Sequence, residues 1–169
     1  MGGIRDSAAR EMLDCEIEAI TTLKHSNVMK CHEVIKETSK CYIITEFCNG
    51  GDLSGFLKKK GKVSESETKK ILKDIVNGYI EISQKGFFHR DLKLANVLLN
   101  NGEAKIADFG FAKKCFSSSM KERYNVGSPL YMPPESLKNN IYSSKSDIWS
   151  IGIMAYEMLH GDTPWQCKT

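Results

Sequence analysis

The sequence predicts an α+β fold, short strands in hairpin pairs set among helices. Two strand-like runs, VMKCHEVI at 28–35 and CYIITEF at 41–47, lie near the beginning, and helical periodicity dominates the C-terminal two thirds. No internal repeat, linker or low-complexity tract divides the 169 residues, so one domain with one sizeable core is expected.

The elements follow in order. Residues 6–23 carry Leu13, Ile17 and Ile20 at i, i+4, i+7, which predicts an amphipathic helix capped by Asp6 or Ser7. The polar ETSK between the two strand runs predicts a hairpin, and NGGDL at 49–53 has the chemistry of a turn. Ser64 with Glu67 three residues on forms the pattern of a capping box. The helix it opens carries a stripe of Ile71, Leu72, Ile75, Val76, Tyr79 and Ile80, and Gly86 is its natural stop. NVLL at 96–99 and AKIADF at 104–109 read as strands around a turn at Asn100-Asn101-Gly102. Residues 113–128 are polar and irregular. A last helix from about Ser146 to Leu159 is apolar on most sides, which predicts burial.

Composition narrows the function. The formal net charge is +3, with Lys and Arg interspersed among Asp and Glu, which gives no footprint for nucleic acid. The longest apolar-leaning stretch, IWSIGIMAYEML at 148–159, is far short of the ~20 residues that span a bilayer, so no membrane insertion is expected. The N-terminal MGGIRDS has neither a signal-peptide pattern nor, with Asp6 in the Ser/Thr position, a myristoylation pattern. The six cysteines form no C-x-x-C pair and no metal-like spacing with histidine, so free thiols in a cytoplasmic, or nuclear, compartment are expected.

The chemistry concentrates at FFHRDLKLANVLL, residues 87–99. Its His89-Arg90-Asp91-Leu92 followed by Asn96 fits H-R-D-L-x-x-x-N, and five fixed positions make a chance match about a one in 10⁴ event. Asp108-Phe109-Gly110 follows a strand, and Pro133-Pro134-Glu135 closes the polar loop after it. Either motif alone is equally explained as a salt-bridged turn or a strand-end cap; together they are specific. Phosphoryl transfer needs in-line positioning and neutralised charge rather than covalent help. Asp91 can accept a hydrogen bond from a substrate hydroxyl, and Lys93 can set a point charge against a phosphate. Asn96 and Asp108 offer hard oxygens of the kind Mg²⁺ takes.

This motif set resembles the eukaryotic protein kinases, and the resemblance covers about the whole chain. Within that family CNGGDL, KIADFGFAKK and VGSPLYMPPE look most like the autophagy-initiating serine/threonine kinases, with calcium/calmodulin-type kinases second. The resemblance implies ATP and Mg²⁺ as cofactors, and protein substrates and regulatory proteins as partners. It implies a kinase-like fold with residues 1–47 as a small-lobe helix and two strands, and 48–169 as a mainly helical large lobe. Asp91 and Lys93 would be catalytic, Lys93 pointing to the serine/threonine class and Phe111 to serine over threonine, and Asn96 and Asp108 would hold the metal. Adenine would be bound through backbone groups of Glu46 and Cys48, with Thr45 as gatekeeper, Asp52 near the ribose and Leu98 under the ring. Arg90 would bind a phosphate on the activation loop, Ala112 to Met132. There Tyr124 stands where relatives commonly carry Thr, Ser117, Ser118 and Ser119 are alternative sites, and Ser128 would line the substrate pocket. His89, Phe109, Gly110, Glu16, Glu135 and Asp147 would be structural: His89 packing on Phe109, Asp147 bracing the loop, Glu16 facing a lysine and Glu135 an arginine.

The Gly-rich loop and the Val-Ala-x-Lys strand of that family do not occur before Glu16, and the family's last helices do not occur after TPWQCKT. Two readings stay open: a piece of a longer gene product, or a short chain that binds partners without catalysing. An apolar stripe covered by only two strands also leads us to expect that the isolated chain aggregates or needs a partner.

Overall fold

The computed structural model of the chain describes residues 3–123 and 125–165. Helix α1, Gly3–Thr22, turns Ala19 and Ile20 into the core. It begins ahead of Asp6 and Ser7, so these lie within the helix rather than at the expected cap; no proline or glycine interrupts the run after Gly3, and the helical turn propagates through it. Strands β1, Cys31–Lys36, and β2, Cys41–Thr45, pair antiparallel in the expected hairpin, Ile35 opposite Tyr42. Both are shorter than their apolar runs; ahead of β1, Val28 bridges to Ile106 instead, tying the approach to the hairpin onto the large lobe.

A helix missed in the sequence follows. NGGDL opens α2, Leu53–Lys60, whose cap is the Asp52 carboxylate accepting the Gly55 N–H at 2.8 Å. Helix α3, Glu65–Gln84, is capped by Ser64, but the capping box is only half built: the Glu67 carboxylate pairs with Lys60 instead of returning to Ser64. Its buried face is Ile71, Ile75, Gly78, Tyr79 and Ile82, whereas Val76 and Ile80 of the expected stripe are exposed. The cause is Gly78, where an added Cβ would lie 2.5 Å from the Asn27 carbonyl oxygen. The helix approaches that backbone on its glycine face, and this sets its rotation. Gly86, at φ +77°, terminates it as expected.

Strand β3, Phe87–Phe88, leads into the motif loop and a 3-10 turn at Leu94–Asn96. Strands β4, Val97–Asn100, and β5, Glu103–Ile106, form a hairpin whose turn places Asn101 and Gly102 at positive φ. β5 stops short of the expected Phe109, because Asp108 takes a left-handed φ of +62°. The segment expected to be irregular contributes β6, Lys113–Lys114, paired with β3, and β7, Met120–Lys121, paired with β8, Ile141–Tyr142. Helix α4 is Pro134–Asn139, and α5, Ser144–His160, opens on a complete capping box of Ser143 and Ser146.

The core runs from Ala19, Ile20 and Leu23 through Ile75, Ile82, Leu92 and Phe109 to Met154 and Met158. The expectation that α5 is buried on most sides fails. Ile151, Met154 and Met158 face inward, but Ile148 and Trp149 are 52% and 39% exposed, because the described residues pack α3 and the preceding loops against one face only.

Two glycine substitutions test this packing with opposite signs. Gly78→Ala is expected to destabilise the chain by about 1–3 kcal/mol through overpacking against Asn27. Gly152→Ala, in the exposed interior of α5 with open space around it, is expected to stabilise by about 0.5–1 kcal/mol. Urea unfolding in dilute solution reads both.

Candidate active site

Three loops, 89–96, 107–111 and 125–128, converge beside the β4–β5 hairpin, and one buried carboxylate holds the first of them. Asp147, in the first turn of α5 and 1% exposed, accepts the His89 N–H at 2.9 Å and the Tyr79 hydroxyl at 3.1 Å on Oδ2. Its Oδ1 accepts the Arg90 N–H at 2.9 Å. Burial pushes the Asp147 carboxyl above the ordinary carboxylate range, while the His89 and Arg90 N–H donors and the Tyr79 hydroxyl pull it back. Arg90 sits at φ +68°, costly for a residue with a side chain, and the paired N–H groups hold it there.

His89 is fully buried between this brace and the 107–110 loop. Its Nε2–H donates to the Ala107 carbonyl at 3.1 Å, Nδ1 accepts the Asp91 N–H at 3.3 Å, and the ring packs on Phe109 with centroids 5.2 Å apart. Burial lowers its pKa, which keeps the imidazole neutral and able to accept.

Asp91 is thereby aimed into the cluster. Its Oδ1 accepts the Ser128 hydroxyl at 2.8 Å; its Oδ2 accepts Lys93 Nζ at 2.8 Å and Asn96 Nδ2 at 3.0 Å. Lys93 Nζ also donates to Ser128 Oγ at 2.9 Å, which closes a triangle of carboxylate, ammonium and hydroxyl. Ser128 reaches this place because Gly127, at φ +101°, lets the backbone pass Arg90; a Cβ there would lie 2.3 Å from the Arg90 carbonyl oxygen. The Ser128 hydroxyl marks a direction from which a hydroxyl donor can meet Asp91.

Across the cluster, Asn96 also donates Nδ2 to the Asp91 carbonyl at 2.9 Å, so among the described residues its Oδ1 is uncommitted. Asp108 is exposed and spends one oxygen on the Gly110 N–H at 3.2 Å, with Phe109 fully buried beneath. Asn96 Oδ1 and the second Asp108 oxygen are hard donors that fit a cation bridged to phosphate. Among the described residues no three His, Cys, Asp or Glu side chains gather as a self-sufficient metal cage. Glu16, on α1, comes to the same place: burial and then the Asp108 charge raise its pKa, and no cation among the described residues pairs with it.

The candidate nucleotide-binding edge lies along the end of β2. Thr45 ends that strand, pairing in register with Cys31. The Glu46 side chain turns away to Lys105 at 3.1 Å, Asn100 at 3.1 Å and the Lys30 N–H at 2.8 Å, leaving backbone as its contribution. The Cys48 N–H makes no hydrogen bond among the described residues. Leu98 is half-buried and bridges to Asp52, whose carboxylate serves as the α2 cap.

Of the other expected positions, Ser117, Ser118 and Ser119 are exposed, Tyr124 lies outside the described residues, and Glu135 stands in the first turn of α4 with no ion pair among them. The Arg90 side chain does not point to the serines; it meets Glu122 at 2.8 Å. Glu122 and Gly127 escaped the sequence reading. G-S-P carried a signal for the glycine, while Glu122 sits in a polar run without period.

Residues 4–169 match the family model described as protein kinase domain. Serine/threonine-protein kinase ATG1a of Arabidopsis thaliana is 38% identical over 160 residues, covering 92% of this chain and 25% of the relative. Serine/threonine-protein kinase ULK1 of Homo sapiens is 35% identical over 171 residues, covering 95% and 16%. CBL-interacting serine/threonine-protein kinase 17 of Arabidopsis thaliana is 39% identical over 160 residues, covering 89% and 36%. The chain thus spans a quarter or so of the relatives' length, and the first two agree with the nearer of the two likenesses in the sequence.

His89 gives the site a measurable pH dependence. Its folded pKa lies below the ordinary 6.5, so the unfolded chain takes up the proton first. Stability is expected to fall as pH drops from about 7 towards 5, by up to about 1.4 kcal/mol per pH unit. His89→Phe should flatten that slope in urea titrations; an unchanged slope would assign the titration elsewhere.

Proposed function

The chain belongs to the protein kinase family, and on that premise we propose that it carries the catalytic loop of a serine/threonine kinase that phosphorylates protein hydroxyls from ATP. The observation that carries this is the Asp91–Lys93–Ser128 triangle, a buried carboxylate offered to a hydroxyl beside a positive charge. Bound ATP and Mg²⁺ would supply the phosphoryl group and the charge that neutralises it. Asp91 orients the substrate hydroxyl and takes its proton. Lys93 sets positive charge beside that oxygen, where developing negative charge is stabilised. Asn96 and Asp108 would hold the metal; the backbone at Glu46 and Cys48 would hold adenine, with Thr45 at the gate, Leu98 under the ring and Asp52 near the ribose. Protein substrates and regulatory proteins are the proposed partners. No helix among the described residues is long and apolar enough to cross a membrane. We place the chain in the cytoplasm or nucleus, which suits the free thiols at Cys15, Cys31, Cys41, Cys48 and Cys115.

One observation favours a second reading, a kinase-like module that binds without transferring phosphate. Burial and then the nearby Asp108 charge raise the Glu16 pKa, and a site in which this pair of carboxylates is not neutralised would lack what is often the largest catalytic contribution.

Transfer of labelled γ-phosphate to a generic serine peptide decides between them. Asp91→Ala is expected to lower transfer by about 10²–10⁴-fold. Tight ATP binding by the parent chain without any transfer would support the second reading instead.

A further inference from the structure

Arg90 is held from four sides. Its N–H goes to Asp147, and its Nε donates to the Phe111 carbonyl at 2.6 Å. Its guanidinium carbon lies 5.6 Å from the centre of the Tyr142 ring, and its Nη1 meets Glu122 Oε1 at 2.8 Å. Lys113 Nζ reaches the same Glu122 oxygen at 3.1 Å and extends to Glu11 of α1 at 3.6 Å. The Arg90 and Glu122 side chains are 7% and 19% exposed. Glu122 itself comes on a fixed backbone: its N–H donates to the Asn140 carbonyl at 2.9 Å, directly after the β7–β8 pairing. One carboxylate oxygen therefore joins the motif loop to β6, and through Lys113 to α1.

Without that anion, the nearly buried Arg90 guanidinium would lose its carboxylate partner with the Lys113 charge still close by, and the loop would have reason to open. The resemblance assigned this place beside Arg90 to a phosphate, a group of charge about −1.5 to −2. In this chain a carboxylate of the same segment already occupies it.

We propose that Glu122 is a positioning residue: a resident anion that clamps Arg90 and Lys113, and so fixes the loop that aims Asp91, with no phosphate required on residues 112–132. The role in catalysis rests on the kinase reading; the clamp itself does not. A phosphate added at Ser117, Ser118 or Ser119 has to compete with Glu122 for Arg90 rather than fill a vacant place.

The test uses the whole chain, dephosphorylated and confirmed phosphate-free by intact mass, beside Glu122→Gln and Glu122→Asp. Amide hydrogen exchange is followed at 90–93 and 111–114, with α3 and α5 as internal references, and peptide phosphorylation is assayed in parallel. The phosphate-free parent is expected to protect both stretches. Glu122→Gln, which keeps shape and loses charge, should speed their exchange about tenfold or more, the equivalent of one charge-assisted hydrogen bond, and leave α3 and α5 unchanged. Glu122→Asp should stay within about threefold of the parent, because it keeps the charge. Where transfer is measurable, Glu122→Gln should lower kcat about tenfold with KM for ATP little changed. Unchanged exchange in Glu122→Gln, a uniform rise that includes α3 and α5, a raised kcat, or protection that appears only after phosphorylation would each overturn the proposal. A chain that transfers no phosphate in any form would sink the kinase reading, and the exchange pattern would still decide the clamp.

Discussion

The geometry of the site depends on one buried carboxylate. Asp147 lies on α5, far along the chain from the loop it organises, and takes the N–H groups of His89 and Arg90 together with the Tyr79 hydroxyl. Those N–H groups belong to a loop in which Arg90 is forced to positive φ, a conformation with no secondary-structure ladder to satisfy it. A buried N–H left unpaired costs about 1–3 kcal/mol, so two donors on one acceptor make the strained conformation the stable one. Once Arg90 is turned, its side chain leaves towards Glu122 and its successor, Asp91, faces Lys93, Asn96 and Ser128.

The remaining contacts refine what this brace creates. His89 closes the inner side by bridging Ala107 and the Asp91 N–H, which couples the loop to the turn that presents Asp108. Gly127 closes the outer side by letting the 125–128 backbone graze the Arg90 carbonyl. Both contacts depend on groups without a charge: a neutral imidazole and an absent side chain. The charged groups, Asp91 with Lys93 and Arg90 with Glu122, are arranged as close pairs, so the cluster needs few outside ions to be stable, whereas Asp108 and Glu16 face each other and are the place where a cation is called for.

Much of this was legible in the sequence for a physical reason. The residues of FFHRDLKLANVLL act within one short loop, so their spacing is nearly their geometry, and the hairpin after it announces itself by Asn-Asn-Gly between apolar runs. What was hidden depends on contacts distant in sequence. The rotation of α3 is set by Gly78 meeting Asn27, which no stripe of apolar residues encodes. Helix α2 is short, follows the glycine pair Gly50-Gly51 and ends in three lysines, so its cap at Asp52 read as a turn. The exposed face of α5 looks like core in any hydropathy reading. Glu122 had no pattern at all: its significance is that β7 pairs with β8, and pairing of two-residue strands leaves almost no trace in composition.

The central claim, that Asp147 locks the loop, is most directly tested by native-state hydrogen exchange at the His89 and Arg90 amides. If Asp147 holds them, both should exchange only through global unfolding, with the same denaturant dependence as the core amides of α3. Exchange of either amide through a local opening, independent of denaturant and as fast as the exposed loop at Ser117 to Ser119, would contradict it.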